Sequence, residues 1–234
     1  MNDWTSSISE PRWRALVELV ETWFAGISVD DGIAPERLEA AALRLEHSLP
    51  ASLRELYLLA GARDDLFCEQ NRLLTPEELV IVDERLVFWR ENQNVVRWGI
   101  PVSALHTDDP PVEMDDVRDP GAKHAHHWVP SNDQLSQFVL QMLLMDLFAL
   151  SDHGVLAGLT DKVLFVLAAV YPQLELPDWP WPLHPTRFYA GRDSVLVVDA
   201  DLSMYGASRH ADAHDRLVNL LEGYGVRPDA EWTQ

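Results

Sequence analysis

Leu49-Pro-Ala-Ser-Leu-Arg-Glu-Leu-Tyr-Leu-Leu-Ala-Gly61 reads as one compact helix with both ends marked. Pro50 suits the first turn, whose N–H groups have no intrahelical partner. Ser52 and Glu55 have the spacing of a capping box. Leu53, Leu56, Tyr57 and Ala60 recur at helical spacing and form an apolar stripe. Gly61 suits the left-handed position that closes many helices. The stretch predicts a buried structural helix, and its neighbours give the fold.

Ahead of it, 9–24 predicts a helix with Trp13, Leu16, Val17, Val20 and Phe24 on one face, ended by Gly26. Pro35 starts another, with Leu38, Ala42 and Leu45 inward. Behind it the period changes. Leu86–Trp89 and Val95–Ile100 predict strands joined through Glu91-Asn92-Gln93-Asn94. Asp108-Asp109-Pro110-Pro111-Val112 is a loop into a short extended piece, and His127-Trp128-Val129 is a further strand. Ser131 opens a long helix to Leu150. Then come a helix at Thr160–Leu174, a Pro/Trp loop, a hairpin of Thr186–Ala190 and Ser194–Asp199, a strand at Leu202–Ala207 and a closing helix at Ala211–Leu221. The class is α+β: a mostly antiparallel or mixed sheet of about six strands flanked by helices.

The 234 residues are 47% hydrophobic, a globular composition with room for a substantial core. Charge is the loudest bulk signal: 38 acids against 18 Lys+Arg, a formal −20. Such a surface disfavours nucleic acid, whose binding needs cations to displace counterions, and disfavours an anionic membrane. It favours a basic protein partner, since opposite fields speed encounter; acidity also serves solubility by itself. No basic-then-apolar leader opens the chain. The apolar stretches at 138–150 and 163–170 are too short or too interrupted to span a bilayer. The single Cys68 has no disulfide partner within the chain. A cytoplasmic, reducing compartment is expected.

The order of these signals resembles a known superfamily. Leu49-Pro50, Ser52, Leu56-Tyr57 and Gly61 are followed by Phe88-Trp89-Arg90-Glu91-Asn92-Gln93 and Trp98-Gly99-Ile100. Asp109-Pro110-Pro111-Val112, Trp128 and a Leu-Ser-Gln-Phe-Val helix at 135–139 come next. Taken together, this resembles the SUKH superfamily, which includes fungal cell-wall-synthesis regulators and many bacterial immunity proteins directed against polymorphic toxins. The resemblance implies a single SUKH-like domain over 1–234, with a helical extension at 1–34, a core at 35–150 and further helix, strands and closing helix at 151–234. It also implies action by binding rather than catalysis. Two features depart from the pattern: Ala62-Arg63-Asp64-Asp65 replaces an Asn-Gly style turn, and the Trp-rich first helix lies outside it.

The expected function is therefore that of a bacterial immunity-type protein. It would bind a basic toxin domain of the nuclease or deaminase class and occlude it, with acidic side chains mimicking the toxin's anionic substrate. The alternative is a non-catalytic regulatory or scaffolding module with an endogenous protein partner. The candidate partner-binding residues are Asp108, Asp109, Glu113, Asp115, Asp116 and Asp119, with Asp64, Asp65 and Glu69 extending the same face; a charge run also reads as a solvated loop. His124, His126 and His127 offer imidazoles that suit zinc or copper. No carboxylate or thiol at ligand spacing completes a set, so no metal or other cofactor is expected. Trp98 and Trp128 read as core, being flanked by strand signals. Trp179-Pro180-Trp181-Pro182 is either a packed rigid loop or an exposed contact ridge. Asn92 and Gln93 are expected to hydrogen-bond a neighbouring loop, and Arg90 and Arg97 to pair with acids. No nucleophile elbow, phosphate-cradling loop or His-Glu-x-x-His motif occurs, so no enzymatic activity is expected.

Overall fold

The computed structural model describes residues 12–67, 70–116, 127–182 and 185–233. In chain order the helices are α1 (Arg14–Trp23), α2 (Pro35–Leu45), α3 (Ala51–Ala60), α4 (Asp64–Phe67), α5 (Leu135–Leu150), α6 (Asp161–Val170) and α7 (Ala211–Gly223). The strands of the first part are β1 (Asn71–Leu73), β2 (Val80–Val82), β3 (Arg85–Glu91), β4 (Val96–Pro101), β5 (Val112–Asp116) and β6 (Trp128–Asn132). Those of the second part are β7 (His153–Gly158), β8 (Thr186–Ala190), β9 (Ser194–Asp199), β10 (Ser203–Ser208) and β11 (Ala230–Thr233). The protein is α+β, and all strand pairings among the described residues are antiparallel. The chain divides into two compact units: 24–140, and 12–23 with 141–233.

In the unit of 24–140 the six strands run β1-β3-β4-β5-β6, with β2 pairing β3 beside β1. Alternation on β4 puts Val96, Trp98 and Ile100 in the core and Arg97 and Gly99 on the other face. On β3 the register shifts between Val87 and Trp89, so Phe88 is a bulge residue. The bulge lets Phe88 and Trp89 both turn inward: each meets the ring of Phe138 on α5, at 5.5 and 5.6 Å between centroids. Trp98 joins them at 5.8 Å from Phe138. These edge-on and tilted contacts are the arrangements that ring quadrupoles favour.

Helix α3 carries the expected stripe, with Leu53, Leu56, Tyr57 and Ala60 fully buried. Its ends differ from expectation. Pro50 is the N-cap and offers no side-chain cap. Ser52 and Glu55 make no capping box; Ser52 donates its backbone N–H to the Asp108 carbonyl at 2.8 Å, so a distant loop takes the orphan donor. Gly61 is right-handed (φ −68°, ψ −11°). Glycine is required there by space instead: a Cβ would stand 2.7 Å from both Ile33 Cγ1 and the Tyr57 carbonyl.

In the other unit the five strands run β11-β7-β10-β9-β8. Helices α6 and α7 cover one face through Val163, Leu167, Leu217 and Leu221, packed with Val155, Leu196, Val198 and Met204. Phe148 of α5 meets Tyr205 at 5.1 Å and Trp232 at 4.5 Å. Helix α6 stops at Val170 rather than Leu174, because Tyr171 precedes Pro172 and takes an extended backbone. Strands β7 and β11 are additions to the hairpin and third strand read from sequence.

Candidate interaction surface

Of the acids expected to meet a partner, several are engaged within the fold. Asp109 accepts from the Ser136 N–H (3.0 Å) and hydroxyl (2.6 Å), capping the first turn of α5. The loop residues Asp108 and Asp109 thus serve the starts of two helices, the Asp108 carbonyl meeting α3. Asp115, 1% exposed at its side chain, accepts two bonds from Arg97 at 2.8 and 2.9 Å and one from the His127 N–H at 3.1 Å. Glu113 pairs with Arg85 at 2.8 Å. Asp65 takes a bidentate pair from Arg63, both bonds 2.7 Å, which lowers its pKa. Arg63 also reaches Asp31 and the Ala25 carbonyl, each at 3.2 Å. Asp64 and Asp108 are exposed. Asp116 sits opposite Val96 on β5, its side chain outside the described residues. Glu69, Asp119, His124, His126 and Cys68 also lie outside them.

The outer face of this sheet is consequently charge-balanced. Register places Arg72, Arg90, Arg97, Asp115 and Trp128 in one cross-strand row. Arg72 pairs with Glu78 at 2.8 and 2.9 Å. Trp128 is half-buried here rather than in the core, with the Arg85 and Arg97 guanidinium carbons 5.8 and 5.6 Å from its ring. The negative face of the indole attracts both cations. Gly99 makes room for it: a Cβ there would stand 3.2 Å from the Trp128 ring and 3.0 Å from Arg85 Cβ. That is the physical reason for a glycine within Trp98-Gly99-Ile100. Arg97 has its expected acid; Arg90 has no carboxylate partner among the described residues, and its Nε is buried without a hydrogen bond.

Helix α2 presents its carboxylates differently. Glu36, Glu39 and Glu46 are all exposed. Glu36 and Glu46 pair with no group among the described residues, and Glu39 approaches Arg54 at 3.7 Å. Leu43 stands 82% exposed. Glu36 and Glu39 lie two turns and one turn before it on the same face, and Glu46 lies one turn after. Glu46 itself takes the left-handed backbone that ends the helix (φ 58°). Sequence reasoning assigned the inward positions of α2 to Leu38, Ala42 and Leu45 and gave the opposite side no role. The buried positions are Leu38 and Ala41, with Ala42 and Leu45 half-buried, and Leu43 faces outward.

Other expectations resolve locally. Asn92 bonds Gln70 through both backbone and side chain, at 2.9 and 3.1 Å. The Gln93 N–H instead meets the Glu91 carboxylate at 2.8 Å. Trp179 and Trp181 are 0% and 8% exposed, and Trp179 exchanges two 2.9 Å backbone bonds with Thr186. The Trp/Pro loop is therefore packed and is no contact ridge. Among the described residues no group of three or more His, Cys, Asp or Glu could hold a metal ion, and no helix is long and apolar enough to cross a membrane. In comparisons with known proteins, no family model, no curated protein and no solved structure matches the chain.

Proposed function

We propose that this chain is an immunity-type protein that binds a basic toxin domain, of the nuclease or deaminase class, and occludes it. The reading rests on the SUKH resemblance of residues 35–150. The observation that carries its electrostatic part is the formal −20 charge, with exposed Glu36, Glu39 and Glu46 around the apolar Leu43. Charge steers the encounter and rejects wrong partners, while an apolar side chain inside a charged rim supplies contact area. The acids at Glu113, Asp115 and Asp65 are already neutralised by arginines, so binding through them would require breaking those pairs. The regulatory or scaffolding alternative drew on the Trp/Pro loop at 179–182 and on the additional first helix; burial of Trp179 and Trp181 removes the loop as a contact ridge, and the immunity reading is the one carried forward.

Co-expression with a basic toxin domain of the nuclease or deaminase class, sought among the genes neighbouring this one, tests it. Survival of the host and a complex on purification are the expected results; continued killing with no complex overturns the reading. In the complex, Glu36→Lys/Glu46→Lys should cut the association rate several-fold or more at low salt and flatten its salt dependence. Its melting temperature should stay within a few degrees of the parent, since exposed substitutions typically change stability by about 0.5 kcal/mol or less. The helix dipole also balances across the pair: a cation is unfavourable at Glu36 in the first turn and favourable at Glu46 beyond the last.

A further inference from the structure

Helix α7 begins on a histidine. His210 is its N-cap, in extended backbone (φ −160°, ψ 162°), and its Nδ1 accepts the Ala213 N–H at 3.3 Å. A ring nitrogen accepts a hydrogen bond only while it carries no proton. The commoner caps, serine, threonine, asparagine and aspartate, are under no such condition near neutral pH. One turn on, His214 is 3% exposed and its ring centre lies 6.1 Å from that of His153 on β7. The Nδ1 of each of these two rings is buried without a hydrogen bond among the described residues. His214 Nε2 stands 3.5 Å from Glu231 on β11. Three imidazoles thus gather where α7 starts its packing on β7 and β10.

Protonation changes each of these contacts. A proton on His210 Nδ1 removes the acceptor that holds the Ala213 N–H, and a cation at that place opposes the positive end of the helix dipole. A second N–H on His214 or His153 points from a buried Nδ1 that has no acceptor. Two charged rings 6.1 Å apart also repel, the more so out of water. The charges on the packed elements offset little of this. Glu231 of β11, 53% exposed at its side chain, faces one ring of the pair. Asp193, in the turn between β8 and β9, is 3.7 Å from His210 Nε2. It already serves Arg209, after β10, at 3.3 Å and Arg216 of α7 at 3.8 Å, and Arg192 adjoins it in sequence. Asp152, ahead of β7, and Asp212 and Asp215 on α7 are exposed to water, which screens them. We propose that the start of α7 is an acid-sensitive latch: it is docked on the sheet while His153, His210 and His214 are neutral and releases as they take up protons. The latch belongs to the unit of 12–23 and 141–233 and does not depend on the identity of any toxin.

Amide hydrogen exchange of the full chain, read residue by residue by NMR from about pH 7.5 to about pH 5.5, tests the proposal. Free imidazoles titrate near ~6.5 and free carboxyls near ~4, so this window isolates the histidines. An opening that takes up one proton is favoured by up to about tenfold per pH unit. Corrected for the intrinsic exchange rate, protection of the amides at 213–217 should therefore fall about tenfold across the window. The fall should track protonation of the three rings, followed through their own nitrogen shifts. Amides of β3 and β4, in the other unit, should keep their protection. His210→Asn supplies a cap that no proton removes, and His153→Gln leaves one ring of the buried pair to be charged. The double variant should lose less than about twofold over the same window. His210 is exposed and His153 half-buried, and circular dichroism at neutral pH verifies the variant's fold; the parent's own titration decides the matter if the variant does not fold. Protection at 213–217 that holds across the window, that falls without protonation of these rings, or that falls as steeply in the folded double variant overturns the proposal.

Discussion

Glu77 and Glu78 follow each other on one turn and are each held by a different arginine. Arg37 bonds Glu77 at 2.8 and 2.7 Å; Arg72 bonds Glu78 at 2.8 and 2.9 Å. Hydrogen bonding to the guanidinium is the main cause that lowers both carboxyls from 4.5 to about 2. Both bidentate pairs are solvent-exposed, so each contributes at most about 1 kcal/mol. The sign follows from linkage: a carboxyl whose folded pKa lies below its unfolded one stabilises the fold above the unfolded value. That stability is lost as pH falls from about 4.5 toward 2. Urea midpoints measured across this window should therefore fall more steeply for the parent than for Glu77→Gln/Glu78→Gln. Equal slopes would show that the pairs contribute nothing in solution. Asp109 makes the complementary point at the same scale. Its neighbours in sequence mark a polar loop, while its partner Ser136 is 27 positions away.

Strand β11 is four residues long, lies at a sheet edge, and adds one side-chain anchor, Trp232, to its backbone pairing with β7. Trp232 sits opposite Gly154 of β7, meets Phe148 edge-on and donates its Nε1–H to the Ser151 carbonyl at 3.1 Å. A Cβ on residue 154 would come within 2.0 Å of the indole, so only glycine admits the ring. Gly154→Ala should expel Trp232 and speed amide exchange in β11, leaving β9 and β10 protected. Unchanged exchange in β11 would show that the strand is held without its tryptophan. The element scale also explains what could be read beforehand. Stripes such as Leu53–Leu56–Tyr57–Ala60 and the strands Leu86–Trp89 and Val95–Ile100 are written locally, in periodicity. Strand β11 and the start of α3 are not. One depends on a glycine far back in the chain (Gly154 against Trp232), the other on the Asp108 carbonyl. The acids of 108–116 look alike in sequence, and their division into paired and exposed groups is set by Arg85 and Arg97 on neighbouring strands, 28 and 18 positions from their partners.

At the scale of the whole molecule two electrostatic effects oppose each other. Ion pairs such as Arg37–Glu77, Arg72–Glu78 and Arg85–Glu113 stabilise the fold and are weakened by salt. Self-repulsion among the surplus carboxylates destabilises the compact state and is relieved by salt. Exposed pairs are each worth about 0–1 kcal/mol, and the formal charge is −20; with a Debye length near 8 Å at physiological salt, most of that repulsion is screened. At low salt, with −20 unscreened, repulsion is expected to be the stronger of the two. The melting temperature should rise by a few degrees between low salt and about 0.3 M NaCl, with about 1 kcal/mol corresponding to roughly 2–4 °C in a chain of this size. The Glu36→Lys/Glu46→Lys variant, having traded two carboxylates for cations, should rise less. The comparison separates the two effects because neither Glu36 nor Glu46 is in a salt bridge among the described residues, so the exchange removes repulsion without removing an ion pair. A melting temperature that falls with salt in the parent would mean that the arginine pairs outweigh the net charge. The paired acids of the outer sheet face, rather than the exposed glutamates of α2, would then be the principal electrostatic feature of the fold.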